Sequence, residues 1–311
     1  NMAKRLTQAI PPARLAVLQA IAKEAERKNI PIYIVGGFVR DLLLNRPSLD
    51  FDIVTEGDAI YFVRTLVKKF GGRSISHNRF GTAKWYLANE LETIATKLNA
   101  EKNLHPNELP NHLDLITART EFYEKPSALP TVESSSIKMD LHRRDFTINT
   151  LALRLDGDHF GKIFDYWGGL ADLENKQIRV LHALSFVDDP TRLLRAVRFE
   201  QRFGFMIEDR TLALMQESLP LVNQITGSRL RHEFELILTE PMAAKMMERL
   251  NYLGILKAIH RNLPWTKEIA QDIENVNMLE VPSGWSVPVH VEKLTLKQAL
   301  RIIYWMWGLD E

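Results

Sequence analysis

The chain contains no cysteine, which excludes a disulfide framework, a thiolate nucleophile and any cysteine-ligated metal. It has almost no charge excess, with 40 Lys and Arg against 39 Asp and Glu and a net charge of +1. A nucleic-acid partner would therefore need a local basic face. No apolar run is long enough for a membrane span, and the N-terminus lacks a basic-then-apolar leader pattern, so a cytoplasmic protein is expected. Asn1 precedes Met2 and reads as an expression remnant. The nine histidines show no metal-ligand spacing, and His77, in "SHNRFGTAKW", is expected at the surface or satisfied in the core. Internal repeats and low-complexity tracts are absent.

What is present suits a globular chain of one large or two to three small domains, 45% hydrophobic over 311 residues. β-rich runs occur at 30–36 ("IPIYIVG"), 49–55 ("LDFDIVT"), 81–88, 113–119 ("LDLITAR") and 150–155, separated by helical stretches such as 58–70. "LDGDHFGKIFDY" carries an Asp-Gly hairpin signal, and segment 89–112, polar and proline-containing, reads as an insertion between two strands. From about residue 186 strand signals stop and amphipathic helical runs continue to the end. The pattern is α+β, a mixed-sheet head followed by an all-helical region. Trp305 and Trp307 read as helix packing.

Three features carry chemistry. In an extended strand Asp50 and Asp52 would share a face about 6 to 7 Å apart, suited to a pair of metal ions, with Phe51 and Ile53 facing the core. With 16 aspartates in the chain, chance alone supplies about 0.8 such Asp-x-Asp pairs. A second pair, Asp156 and Asp158, reads as turn chemistry. Next, Gly36-Gly37 follows a strand and opens the run "FVRDLLL", leaving unhindered N–H groups at a positive helix end for phosphate oxygens, or simply making a turn. Asp114, in the alternating "LDLITAR", points away from Leu113 and Leu115 and needs a partner, either a divalent cation or a basic neighbour such as Arg119.

"GGFVRDLLLNRPSLDFDIV" resembles the signature of the class II tRNA nucleotidyltransferase and bacterial poly(A) polymerase family, a branch of the polymerase-β-type nucleotidyltransferases. "LHRRDFTINTLAL" (141–153), "FDYWGGLADLENKQIRVL" (164–181), "DDPTRLLRAVRF" (188–199) and "GSRLRHEFELIL" (227–238) resemble its further motifs in the family's order. The resemblance implies a nucleotidyltransferase head over 1–180, a helical neck for base recognition over 181–238 and a helical RNA-binding body over 239–311.

It also implies a reaction: addition of CCA, or its terminal A, to the 3′ end of tRNA from CTP and ATP, with two Mg²⁺ ions held by Asp50, Asp52 and Asp114. Gly36, Gly37, Arg40, Arg144, Asp145, Asn149, Asp189, Arg192, Arg195 and Arg198 become the nucleotide-binding set. Asp145 and Asn149, four apart, can reach a ribose 2′-OH from one helical face, or Asp145 can cap a helix and pair with Arg143 or Arg144. Gly168-Gly169 is either the family's hinge or a plain turn. Asp189 before Pro190 has the form of a helix N-cap, yet the family gives Asp189 and Arg192 the reading of the incoming base. Arg195, Arg198 and Arg202 lie within about 60° on a helical wheel and form a basic stripe. Arg229, Glu233 and Glu235 are expected to brace the neighbouring helix.

The composition of 120–140 suits the mobile loop that, in the family, accompanies A addition. Two departures are the insertion at 89–112 and the ending at Glu311, where family members continue into a tRNA-gripping tail. The alternatives are a poly(A) polymerase of the same family or a non-catalytic RNA-binding module.

Overall fold

The five expected strands all form, and they form one sheet. The structure, a computed structural model, describes residues 2–46, 51–88, 90–98, 106–122, 131–280, 286–289 and 292–306. Strands β1 (Ile32–Val35), β2 (Ile53–Thr55), β3 (Arg73–His77), β4 (Thr82–Tyr86), β5 (His112–Thr117), β8 (Leu151–Arg154) and β9 (Ile163–Asp165) make a seven-stranded sheet ordered β3-β4-β5-β2-β1-β8-β9. Between β5 and β8 a separate hairpin pairs β6 (Arg119–Phe122) with β7 (Thr131–Ser134). The central strands β1 and β2 are buried at every position, as strands covered on both faces must be, while β4 and β5 alternate. β2 and β5 run parallel and the other sheet pairs antiparallel, so the sheet is mixed as expected.

Helices α1 (Met2–Ala9), α2 (Pro12–Arg27), α3 (Gly37–Leu43), α4 (Ala59–Phe70), α5 (Leu91–Leu98), α6 (Ile137–His142) and α7 (Gly169–Glu174) complete this unit. α4 shows why the sequence was readable. Asp58 accepts from the N–H groups of Ile60 and Tyr61, Phe62, Val63, Leu66 and Phe70 bury one face, and Gly71 stops the helix at φ +102°. Glu24 of α2, fully buried, joins it to α4 through Lys69 at 2.6 Å.

Two expected connections gain detail here. The insertion at 89–112 contains α5, whose Ile94 and Ala95 are buried, so part of it packs as a helix. β8 and β9 form the expected antiparallel hairpin, whose link runs through residues 155–162 with a 3₁₀ turn at Gly157–His159. Asp156 accepts the Ile32 N–H at 2.8 Å and pairs with Arg154, which bears out its structural reading.

The described residues up to Glu174 form one compact unit and those from Asn175 a second. The second holds α8 (Ser185–Asp188), α9 (Arg192–Phe203), α10 (Asp209–Ser218), α11 (Gly227–Thr239), α12 (Ala243–Tyr252), α13 (Ile255–Ile259), α14 (Lys267–Asn275) and α15 (Leu296–Met306). It is helical apart from a two-residue parallel pair, β10 (Gln177–Ile178) with β11 (Met206–Ile207), and a hairpin, β12 (Ser286–Val289) with β13 (Glu292–Thr295). Two residues are too few to show a period, and Pro288 weakens the alternation in the hairpin. Trp305 packs against Phe234 at 4.5 Å and donates to the Pro264 carbonyl, a core role as expected, while Trp307 lies outside the described residues.

Candidate active site

The register of the sheet brings two of the three predicted carboxylates side by side. Ile53 of β2 pairs with Leu115 of β5 in parallel, and both are fully buried. Asp52 and Asp114 each stand one residue before this pair, Asp52 exposed and Asp114 alternating with buried Leu113 and Leu115. Asp52 is exposed and Phe51 buried, which bears out the facing read from the sequence. β2 itself begins at Ile53, so Asp52 stands just before the strand, and Asp50 lies outside the described residues.

Asp114 has a basic partner, but Arg119 is not the one the structure provides. Lys84, directly across the β4–β5 ladder, sits 3.2 Å from it, and His112 Nε2 sits at 3.5 Å. Arg119 instead donates to the Phe80 carbonyl. Both Lys84 and Asp114 are about one-third exposed, so this pair is worth at most about 1 kcal/mol and does not reserve Asp114 against a divalent ion. Among the described residues no three His, Asp or Glu gather around one point. Two hard-oxygen donors on one exposed face do fit a divalent cation of the magnesium type.

The glycine pair lies at the same end of the sheet as Asp52. The antiparallel β1–β2 ladder ends at Ile34↔Ile53, so the Gly36 turn after β1 and Asp52 before β2 lie at the same end of the sheet. Gly36 adopts φ +72° and ψ −130°, a region closed to residues with a Cβ, and α3 starts at Gly37 as expected. A Cβ at Gly36 would come within 2.7 Å of Arg144 Nη1, so the glycine admits this guanidinium against the turn. Arg40 hydrogen-bonds Asp41 and Asn149, and Asn149 Nδ2 donates to Asp145 at 2.8 Å. Gly36, Gly37, Arg40, Arg144, Asp145 and Asn149 thus meet in one cluster.

Asp145 and Asn149 do not share an α-helical face, however: α6 ends at His142 and Thr147–Asn149 is a 3₁₀ turn. Arg143 and Arg144 pair with Asp140, at 2.9 and 3.2 Å, which the sequence did not single out. At Gly168-Gly169 the turn is fully accounted for, with Gly168 at φ +79° and Asp165 accepting the N–H groups of Gly169 and Leu170 at 2.9 Å.

In the second unit Asp189 accepts the Thr191 N–H at 3.1 Å, but it is not the expected N-cap: α9 starts at Arg192 with Thr191 at its N-cap, and Asp189 closes α8. Its carboxylate also takes Arg229 at 2.7 Å. Arg192, 5% exposed, is held by the hydroxyl and carbonyl of buried Ser185, at 2.6 and 3.2 Å. The basic stripe of α9 is paired, though only Arg198 is buried: Arg195 and Arg198 face Glu233 at 3.7 and 3.8 Å, and exposed Arg202 faces Glu240 at 3.4 Å. Burial pushes the Arg198 guanidinium below its ordinary value, with Glu233 opposing. Arg229 and Glu233 therefore brace α9 as expected, whereas Glu235 pairs within its own helix with Arg231. His77 is exposed.

Residues 32–179 match the poly A polymerase head domain, and 204–266 the probable RNA and SrmB-binding site of polymerase A. A solved CCA-adding enzyme in an apo form is 36% identical, with a TM-score of 0.82, over 100% of this chain and 68% of its own. The chain belongs to the tRNA nucleotidyltransferase and poly(A) polymerase family. An A-adding tRNA nucleotidyltransferase of Geobacter sulfurreducens is 42% identical over 86% of this chain and 29% of its own length. That of Halalkalibacterium halodurans is 34% identical over 83% and 57%. A Thermotoga maritima CCA-adding enzyme complexed with tRNA aligns over 89% of this chain and 60% of its own, at 36% identity and TM-score 0.73. The chain thus spans 29% and 57% of these two curated relatives. Nucleotidyltransferases of this family generally use divalent metal ions. Among the described residues no helix is long and apolar enough to cross a membrane.

Proposed function

We propose that this chain carries the nucleotide-adding machinery of a cytoplasmic tRNA nucleotidyltransferase, which extends the tRNA 3′ end from CTP and ATP toward CCA or adds its terminal A. The observation that carries this reading is the placing of Asp52, Asp114 and the Gly36 turn at one end of the head sheet, in a chain of this family. The 3′-OH of the RNA attacks the α-phosphorus of the incoming nucleotide and pyrophosphate leaves. Asp50, Asp52 and Asp114 would hold two Mg²⁺ ions, which supply charge neutralisation to the triphosphate. The Gly36-Gly37 turn with Arg40 and Arg144 binds phosphate, and Asp145 with Asn149 reads the ribose. In the second unit Asp189 and Arg192 read the base edge, with Arg195 and Arg198 in support. The head would span 1–180, the base-reading neck 181–238 and the RNA-binding body 239–311.

An ionised carboxylate only accepts hydrogen bonds, so Asp189 suits the exocyclic amine of cytosine or adenine and opposes the carbonyl of uracil or guanine. Asp189→Ala is expected to erode selection of CTP over UTP, or ATP over GTP, by about tenfold to a hundredfold. If the carboxylate only held the turn at Thr191, stability would fall by about 1 kcal/mol and the ratio would hold.

The reading itself is tested with Mg²⁺, labelled CTP or ATP, and tRNAs ending before the CCA, after C and after CC. A addition to tRNA ending in CC is expected, while C addition to the shorter ends separates a full CCA enzyme from an A-only one. Long A tails on any RNA would make the chain a poly(A) polymerase, and no incorporation would make it a binding module. The loop expected to support A addition falls partly on 123–130, outside the described residues.

A further inference from the structure

Asp189 receives its hydrogen bonds on one oxygen. Oδ1 accepts from Arg229 Nη2 at 2.7 Å, from the Thr191 hydroxyl at 2.7 Å and from the Thr191 N–H at 3.1 Å. Among the described residues no donor reaches Oδ2. The carboxylate is 21% exposed and lines a polar cavity of about 330 Å³ with Thr191, Arg195, Ser228, Arg229 and His232.

We propose that Arg229 is a positioning residue that clamps Asp189 through Oδ1, so that Oδ2 is the one oxygen offered, in one direction, to the amine of an incoming base. This rests on the reading of Asp189 as a base-edge contact. The reasoning is rotational. The terminal torsion of an aspartate is broad and two-fold, so an unclamped carboxylate presents either oxygen over a wide arc. Such a group still accepts an amine, but it can also turn away from a carbonyl and tolerate the wrong base. Three donors converging on Oδ1 remove that freedom. A stabilising role for the pair is minor by comparison, because Arg229 is 37% exposed and exposed ion pairs contribute little. Thr191 supplies only the local turn, since its donors come from two residues along the chain. Arg229 comes from α11, forty residues away, and fixes the carboxylate against a second helix.

The test measures kcat/KM for ATP and GTP on tRNA ending in CC with the full chain and with Arg229→Ala, Arg229→Lys, Asp189→Ala and the Arg229→Ala/Asp189→Ala double variant, with a melting curve for each. Arg229→Ala is expected to lose about tenfold in selection of ATP over GTP, through kcat/KM for GTP rising and KM for ATP rising, with melting nearly unchanged. Arg229→Lys, which keeps the charge but not the fork, should recover part of the ratio, and the double variant should be no less selective than Asp189→Ala alone. If Asp189→Ala loses selection while Arg229→Ala keeps it, the clamp is overturned and the base-edge reading stands. Additive losses in the double variant also overturn the clamp, because Arg229 would then act elsewhere. If neither single variant changes the ratio, the base-edge reading itself fails. Should Arg229→Ala not fold, Arg229→Gln is judged by the same ratio.

Discussion

Replacing Asp52 by alanine is expected to lower turnover by at least about a thousandfold, close to 4 kcal/mol of barrier, while the protein remains folded. The size follows from the position of the carboxylate. Asp52 is exposed just before a fully buried strand, at the same end of the sheet as Asp114 and the turn at Gly36. Its loss removes one of the oxygen donors on which phosphoryl transfer would depend, and because Asp52 is exposed little packing goes with it. Unfolding should therefore move by no more than about 0.5 kcal/mol, the usual range for exposed substitutions. Single-turnover incorporation of labelled ATP, read beside a melting curve, separates the two quantities. The same loss is expected for Asp50→Ala. Near-normal incorporation by Asp52→Ala would remove the metal-binding role of this face.

The contrast between Asp52 and Asp114 shows how far the sequence reaches. Strict alternation in "LDLITAR" assigns Asp114 to the face opposite Leu113 and Leu115, and the burial of those leucines agrees. Alternation is local, so it survives without knowledge of the neighbours. The partner of Asp114 is not local: Lys84 is chosen by the β4–β5 register, which no short window contains. The arginine stripe of α9 repeats the lesson. Its spacing is legible from the 3.6-residue period, but what it faces, Glu233 and Glu240, depends on where α11 lies. Around Gly36 the residues singled out in the sequence do cluster, but through other contacts than expected. Asp145 and Asn149 meet across a 3₁₀ turn, and Gly36 opens a path for Arg144 as well as leaving N–H groups bare.

Asp140 is the residue of this site that pattern reading overlooked, since "IKMDLH" looks like a short helix with one solvent-facing acid. In the structure its carboxylate is fully buried. It accepts from Arg143 at 2.9 and 3.1 Å, from Arg144 at 3.2 Å and from the Arg119 backbone N–H at 3.2 Å. Removing one member of a buried ion pair strands the other charges, and Asp140→Ala is expected to cost about 3 to 5 kcal/mol of stability. Asp140→Asn keeps the shape and part of the hydrogen bonding and should cost less. Nucleotide affinity should fall in both, because Arg144 loses the carboxylate that holds it beside Gly36. The pH dependence gives an independent readout. Burial alone raises the Asp140 pKa, but Arg144 and Arg143 outweigh it and hold the carboxyl below the ordinary range. A carboxyl depressed in the folded state contributes stability that is fully present above its unfolded value, about 3.9, and is lost as pH falls through the folded value. Urea unfolding of the intact chain from pH 7 down to the acid limit should therefore show a loss of stability below about pH 4 that is smaller in Asp140→Asn. A cost under about 1 kcal/mol for Asp140→Ala at pH 7 would mean that the two arginines find other partners, and Arg144 would then need no anchor to remain at the glycine turn.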